Sequence, residues 1–295
     1  MKHIDDKFAV FILTNRRPDR VFTYKLLREI GYTGKIYLIV DDEDPTIQKY
    51  IDTYSANEVF VFPKKEAEKI TDDANHNETT GAVIYARNYA FTVAEKLGIE
   101  YFLVLDDDYN NMRFMLRPDK TFKHKSIVRN FDYVLDLLLE YYKSTPIKSL
   151  CIAQGGDFIG GENNGFMESL LRRRKAMNFF ICSTHRPFQF YGKINEDTTA
   201  YTVLGSRGDL FLTIDYIALN QIQTQQNAGG LTEIYLDLGT YVKSFYSVMY
   251  MPSSIKIREM GTSHRRLHHS VKWDNTVPML IREKHRKAKD DVQMV

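Results

Sequence analysis

A chain of 295 residues with a formal net charge of only +2 can bury a full hydrophobic core, and its near-neutral balance excludes a general polyanion binder, so any basic surface must be local. With 43% hydrophobic and 26% charged residues, it has the composition of a globular protein rather than a disordered one. Two cysteines, Cys151 and Cys182, are too few for a disulfide framework and fit a reducing cytoplasm. No apolar run approaches the roughly 18 residues of a membrane span, and the amino terminus shows no signal-peptide core.

In chain order, residues 8–14 are an unbroken apolar run ending in Asn15-Arg16-Arg17-Pro18-Asp19. Such a run reads as a strand buried on both faces of a parallel sheet. Pro18 suits the first turn of a helix reaching Glu29. Residues 35–40 form a second strand ending in Asp41-Asp42-Glu43-Asp44. Residues 45–54 follow as a helix and 58–62 as another apolar strand. Residues 64–81 begin as a helix and continue as a polar loop. Residues 82–97 carry apolar positions at helical spacing, interrupted by Arg87 and Asn88. Residues 101–105 are a further buried strand, which stops at Asp106, Asp107 and Asp108. The alternation predicts an α/β fold with a mostly parallel sheet flanked by helices. Ligands of such sheets sit outside the carboxyl ends of the strands, and here those ends carry Thr14, Arg16, Asp42 and the three aspartates. No Gly-x-Gly-x-x-Gly follows the first strand and no Walker-type lysine loop is present, which argues against the two commonest nucleotide folds.

Asp106 and Asp108 are two apart, so an extended chain points them the same way. Three adjacent carboxylates repel one another unless a positive group sits between them, and a hard divalent cation bridging the pair to phosphate oxygens satisfies both. A helix cap followed by a solvated turn is the plainer alternative. Arg87 suits a nucleotide diphosphate or these carboxylates; a surface ion pair is its plainer reading.

Taken together, Ile12-Leu13-Thr14, Arg17-Pro18-Asp19, Tyr32-Thr33-Gly34, Val40-Asp41-Asp42-Glu43-Asp44, Tyr85-Ala86-Arg87-Asn88 and Leu105-Asp106-Asp107-Asp108-Tyr109 resemble the GT-A glycosyltransferases of family 2. More closely, residues 8–115 resemble the phage and eukaryotic glycosyltransferases associated with modified-base oxygenases, a family linked to hydroxymethylated pyrimidines in DNA. The resemblance implies a GT-A-type sheet, a UDP-sugar donor, and Mn2+ or Mg2+ held by Asp106 and Asp108. It places Thr14, Arg16, Asp42, Arg87 and Asp107 around the donor. It implies an acceptor base at Asp197, with Glu196 beside it, and inversion at the anomeric carbon. A carboxyl-terminal histidine is a common further metal ligand in such enzymes; His264 is the first choice and His269 the second. The implied acceptor is DNA carrying a hydroxymethylated pyrimidine, in the cytoplasm, the host's if the chain is phage-encoded. The same fold acting on a protein or glycan is the alternative. A DNA-binding module on an inactive core and a sugar nucleotidyltransferase are more distant ones, and the latter lacks its glycine-rich, lysine-bearing loop.

The remainder is less regular. Residues 126–143 predict an amphipathic helix, and residues 149–153 a strand opening into a glycine-rich stretch at 154–165. Paired glycines allow close approach to a sugar or acceptor, or make an ordinary loop. Arg172-Arg173-Arg174-Lys175 reads as a solvated face or as phosphate contacts. Glu196-Asp197 before a Thr-rich turn is a helix start in the plain reading. Strands are expected at 210–214, 247–251 and 254–260, and a helix at 231–245. From 256 to 289 cations outnumber acids, and Trp273 lies among them. That mixture suits stacking on an exposed base or a tail anchored to the core by its indole. The expected division is a donor half at 1–118, an acceptor-side half at 119–255 and a basic segment at 256–295.

Overall fold

The structure, a computed structural model, describes residues 6–74, 83–115, 126–158, 169, 171–222, 242–260 and 265–278. Its first half alternates strand and helix: β1 (Phe8–Leu13), α1 (Phe22–Glu29), β2 (Lys35–Asp41), α2 (Ile47–Tyr54), β3 (Val59–Phe62), α3 (Lys64–Lys69), α4 (Val83–Lys96) and β4 (Tyr101–Asp106). There follow β5 (Tyr109–Phe114), β6 (Ser126–Ile127), α5 (Phe131–Ser144), β7 (Ser149–Gln154), β8 (Phe179–Ser183), α6 (Glu196–Ser206) and β9 (Phe211–Gln221). Last come α7 (Val242–Tyr250), β10 (Ile255–Met260) and β11 (Arg266–Val271).

Among the described residues, β1 to β9 form one sheet in the order β3-β2-β1-β4-β8-β7-β9-β5-β6, and β10 pairs with β11 separately. β8 and β5 run against the other strands. The apolar runs read as doubly buried strands behave so. On β1, Phe8, Val10 and Ile12 pack with Leu27, Tyr50, Phe131 and Leu135 from α1, α2 and α5. Ala9, Phe11 and Leu13 pack on the opposite face with Ile84, Ala90, Tyr201 and Leu204 from α4 and α6. Period-2 alternation on one strand thus feeds two cores, one per face.

Several expected boundaries move. The helix expected from 126 starts at Phe131, because Asn130 caps it through the Tyr133 amide at 3.3 Å and Ser126–Ile127 pairs with β5. β9 runs to Gln221, seven residues past its expected end, paired with both β7 and β5. β5 and β8 are strands that the sequence pattern does not predict. The strand expected at 247–251 is overturned, since Val242–Tyr250 is helical. Ser244, Ser247 and the Tyr246 ring turn inward, with the Ser244 hydroxyl on the Leu267 carbonyl of β11 at 2.9 Å. Packing against that hairpin overrides the β preference of Tyr and Val. Most of the helix expected at 231–245 lies outside the described residues, as do residues 159–165 of the glycine-rich stretch.

Candidate active site

The three aspartates stand at the carboxyl end of β4, where Asp106 is in register with Leu13 of β1, and each has a different set of partners. Asp106 accepts from Arg87 Nη2 at 2.8 and 3.0 Å, with the Tyr109 hydroxyl at 3.4 Å. Asp107 accepts from the Thr14 hydroxyl at 2.8 Å and from Arg17 Nη1 at 3.3 Å. Asp108 accepts from the Gln221 amide at 2.9 Å through one oxygen. Its other oxygen, Oδ1, is buried without a hydrogen-bond partner among the described residues.

Burial dominates the titration of this cluster. Desolvation pushes the Asp107 carboxyl up to about 6, with Arg17 and Thr14 pulling against it. Desolvation, then the neighbouring charge of Asp106, pushes Asp108 up to about 7. An anionic oxygen that is buried and unpaired costs free energy until something positive meets it. The donor set therefore fits a hard divalent cation, which takes carboxylate oxygens. No group of three His, Cys, Asp or Glu among the described residues is disposed to hold a metal ion. Asp106 and Asp108 would thus supply two ligands, and the others would come from diphosphate oxygens or water. His264 lies outside the described residues.

Arg87 does not face solvent. Its side chain is 3% exposed, with Nη1 at 2.8 Å from Glu196 Oε1 and the guanidinium carbon 5.3 and 5.7 Å from the Phe180 and Phe190 ring centres. Desolvation opposes its charge, but Asp106, Glu196 and Asp197 outweigh burial and hold it protonated. The surface ion pair is thereby excluded, and the pairing with the carboxylates is the one observed. Next to it, Asn88 accepts from the Phe190 amide at 2.8 Å and donates to the Phe190 carbonyl at 3.1 Å. These two residues of α4 fasten the segment that leads into α6.

α6 opens at Glu196 behind Asn195, which sits at φ 55°, a left-handed conformation that asparagine tolerates. Glu196 and Asp197 are both buried. Burial raises the Glu196 pKa against the pull of Arg87. Glu196 is spent on Arg87, whereas Asp197 accepts from the Thr198 amide at 2.6 Å through one oxygen. His269 of β11 approaches this turn, with Nδ1 3.4 Å from the Asn195 amide nitrogen.

At the end of β1, the Thr14 hydroxyl lies between Asp107 and the Tyr50 hydroxyl, the latter at 2.8 Å. Tyr50 also accepts from the Arg17 amide at 2.8 Å. Arg16 is exposed at φ 56°, and its amide donates to the buried Asp44 carboxylate at 2.6 Å. Asp42 is exposed and accepts from the Lys64 amide at 2.9 Å. Thr14 and Asp107 thus build the floor of this edge, and Arg16 and Asp42 stand open on its rim.

The model of the TET-Associated Glycosyltransferase family matches residues 8–230, more than half of the chain. The chain belongs to the TET-associated glycosyltransferase family. No curated protein sequence matches it. Solved structures to which the chain is similar include glucosyl-3-phosphoglycerate synthase from Mycobacterium tuberculosis in complex with Mg2+ and UDP, at 9% identity and TM-score 0.46, covering 90% of this chain and 87% of that one. A mannosyltransferase from Pyrobaculum calidifontis with GDP-Man and Mn2+ overlaps at 10% identity and TM-score 0.41, covering 75% of this chain and 58% of that one. S. aureus TarS 1-349 overlaps at 15% identity and TM-score 0.40, over 72% and 59% of the two chains. The chain thus spans about three-fifths of the latter two proteins. This TET-associated glycosyltransferase has the expected α/β architecture, with three aspartates at the carboxyl end of β4.

Beyond the aspartates, the enzyme has a cavity of about 450 Å³ lined by Asn110, Asn111, Gln154, Asn220 and Gln221, with Gly155 and Gly156 at its side. Of the cationic run at 172–175, expected as a solvated face or as phosphate contacts, Arg172 is exposed and the other three are engaged within the chain. Arg173 pairs with Asp215 at 2.9 Å, Lys175 pairs with Asp157, and Arg174 donates to the Thr276 carbonyl at 2.9 Å. Trp273 stacks on Tyr201 of α6, ring centres 5.7 Å apart and planes at 11°, so the indole is an anchor to the core. Tyr50 and Gln221 carry no signal in the sequence, and Arg17 and Asn88 appear there only as parts of motifs, because the contacts that place them at the site, Arg17–Tyr50, Asn88–Phe190 and Gln221–Asp108, span 33, 102 and 113 residues. Among the described residues, no helix is long and apolar enough to cross a membrane.

Proposed function

We propose that this glycosyltransferase moves a sugar from a UDP-sugar to the hydroxymethyl group of a modified pyrimidine in DNA, with a divalent cation and with inversion. The observation that carries the reading is that Arg87 joins Asp106 to the buried acid turn of α6 (Glu196-Asp197), at the strand end where, among the described residues, one oxygen of Asp108 is buried without a hydrogen-bond partner. Asp106 and Asp108 would hold Mn2+ or Mg2+, which would offset charge on the departing diphosphate. Arg16 and Asp42 border the nucleotide, and Thr14 and Asp107 support that floor.

Asp197 takes the proton of the acceptor hydroxyl. The hydroxyl oxygen forms a bond to the anomeric carbon while the bond from that carbon to the UDP oxygen breaks, and UDP leaves with the electron pair. Attack from the face opposite the leaving group inverts the centre. Asp197 is favoured over Glu196 as the base because Glu196 Oε1 lies 2.8 Å from Arg87 Nη1. DNA as acceptor is supported by the family's association and by Lys256, Arg258 and Lys272, all exposed on the β10–β11 hairpin and its flank, where phosphates can be met.

The test is mass spectrometry of hydroxymethylated and plain DNA incubated with a panel of nucleotide sugars and Mn2+. A hexose mass added to hydroxymethylated DNA, and lost in Asp197→Asn, is the expected result. Sugar appearing on plain DNA alike, or on protein but never on DNA, would overturn the assignment of the acceptor.

A further inference from the structure

Arg87 and Asn88 occupy consecutive positions on α4, are both buried, and grip two different parts of the site. Asn88 closes both backbone hydrogen-bonding groups of Phe190. Arg87 spans Asp106 at the end of β4 and Glu196 at the start of α6, with ion-pair distances of 2.8 Å on each side. Asp106 remains 20% exposed while Arg87 and Glu196 are 3% and 6% exposed, so the arginine sits behind the carboxylate, on its protein side. Phe180 and Phe190 face the guanidinium and shield it from water, where its field is least screened.

We infer that Arg87 is a positioning residue: a resident counter-ion that holds down the cation affinity of the Asp106–Asp108 notch and fixes the distance between that notch and the turn bearing Asp197. The inference rests on the proposed cation notch. A divalent ion arriving at Asp106 meets a carboxylate already shared with a fixed positive charge, and repulsion between the two cations weakens binding. The same guanidinium, through Glu196, keeps α6 in register with β4. A planar fork can satisfy two carboxylates at once, which a lysine ammonium on its single stem does less well.

The experiment is Mn2+ titration of the full chain, without nucleotide sugar or DNA, followed by electron paramagnetic resonance. Steady-state transfer kinetics are measured in parallel. Arg87→Met is expected to bind Mn2+ about tenfold more tightly than the unmodified enzyme, having lost a buried positive charge beside the ligand. Arg87→Lys keeps the charge and is expected to bind within about twofold, yet to lose kcat with little change in donor KM. If Arg87→Met fails to fold, the matched double variant Arg87→Met/Glu196→Gln removes both members of the pair and should still bind Mn2+ more tightly. Unchanged or weaker Mn2+ binding in whichever of these variants folds overturns the inference and leaves the notch standing. Absence of Mn2+ binding by the unmodified enzyme, matching an Asp106→Asn control, sinks the notch and the inference together.

Discussion

Replacing Asp108 by asparagine tests the electrostatics of the notch directly, because the change keeps the shape and removes the charge. The Asp108 carboxyl is displaced by burial from 3.8 to about 7, which corresponds to on the order of 4 kcal/mol. The sign follows from linkage. Below about pH 4 the group is neutral whether the chain is folded or not, and nothing is lost. As pH rises, the unfolded chain releases the proton first, so the folded enzyme loses stability progressively until about pH 7 and stays at that level above it. The substituted side chain would still accept from Gln221, but its amide N–H would replace the unpartnered oxygen at a cost of roughly 1–2 kcal/mol. Asp108→Asn should therefore be slightly less stable than the unmodified enzyme at pH 4 and about 2–3 kcal/mol more stable at pH 8. At roughly 2–4 °C per kcal/mol that is a gain of about 4–12 °C. Thermal unfolding in EDTA across pH 4–8 reads the crossing of the two curves. Parallel curves, or a variant weaker at every pH, would refute the idea that an uncompensated charge sits there.

Other consequences can be checked with simpler measurements. Asn88→Ala strips the Phe190 amide and carbonyl of their buried partner and should cost about 2–4 kcal/mol in urea denaturation; a cost below that range would show that the segment is held elsewhere. Trp273→Ala should lower stability by roughly 2–4 kcal/mol through loss of the Tyr201 stack. For the proposed DNA acceptor, the salt dependence of binding followed by fluorescence anisotropy should match that of the unmodified protein, because the indole stacks on Tyr201. Gly205→Ala brings a Cβ to 2.7 Å from the Arg174 guanidinium and 3.0 Å from the Thr276 carbonyl. It should cost about 1–3 kcal/mol, and an unchanged melting temperature would contradict that close packing.

The sequence by itself determined the α/β class and the sheet edge on which the polar groups gather. Runs such as residues 8–13 and 101–105 carry their own burial signal, since a strand apolar at every position must be covered on both faces. The same local logic put Asp106 to Asp108 at a strand end and made Glu196 the start of a helix. It failed where the deciding partner was remote. Ser247 and its neighbours are helical because a hairpin packs on them, and the cations at 173–175 are occupied because Asp215, Thr276 and Asp157 stand opposite. Only the tertiary structure could show that Arg87 faces inward to two carboxylates, that Trp273 is an anchor, and that Asp108 keeps one buried oxygen without a hydrogen-bond partner among the described residues. Spacing along a chain reports which face a side chain takes; which charge it meets there depends on segments folded in from a hundred residues away.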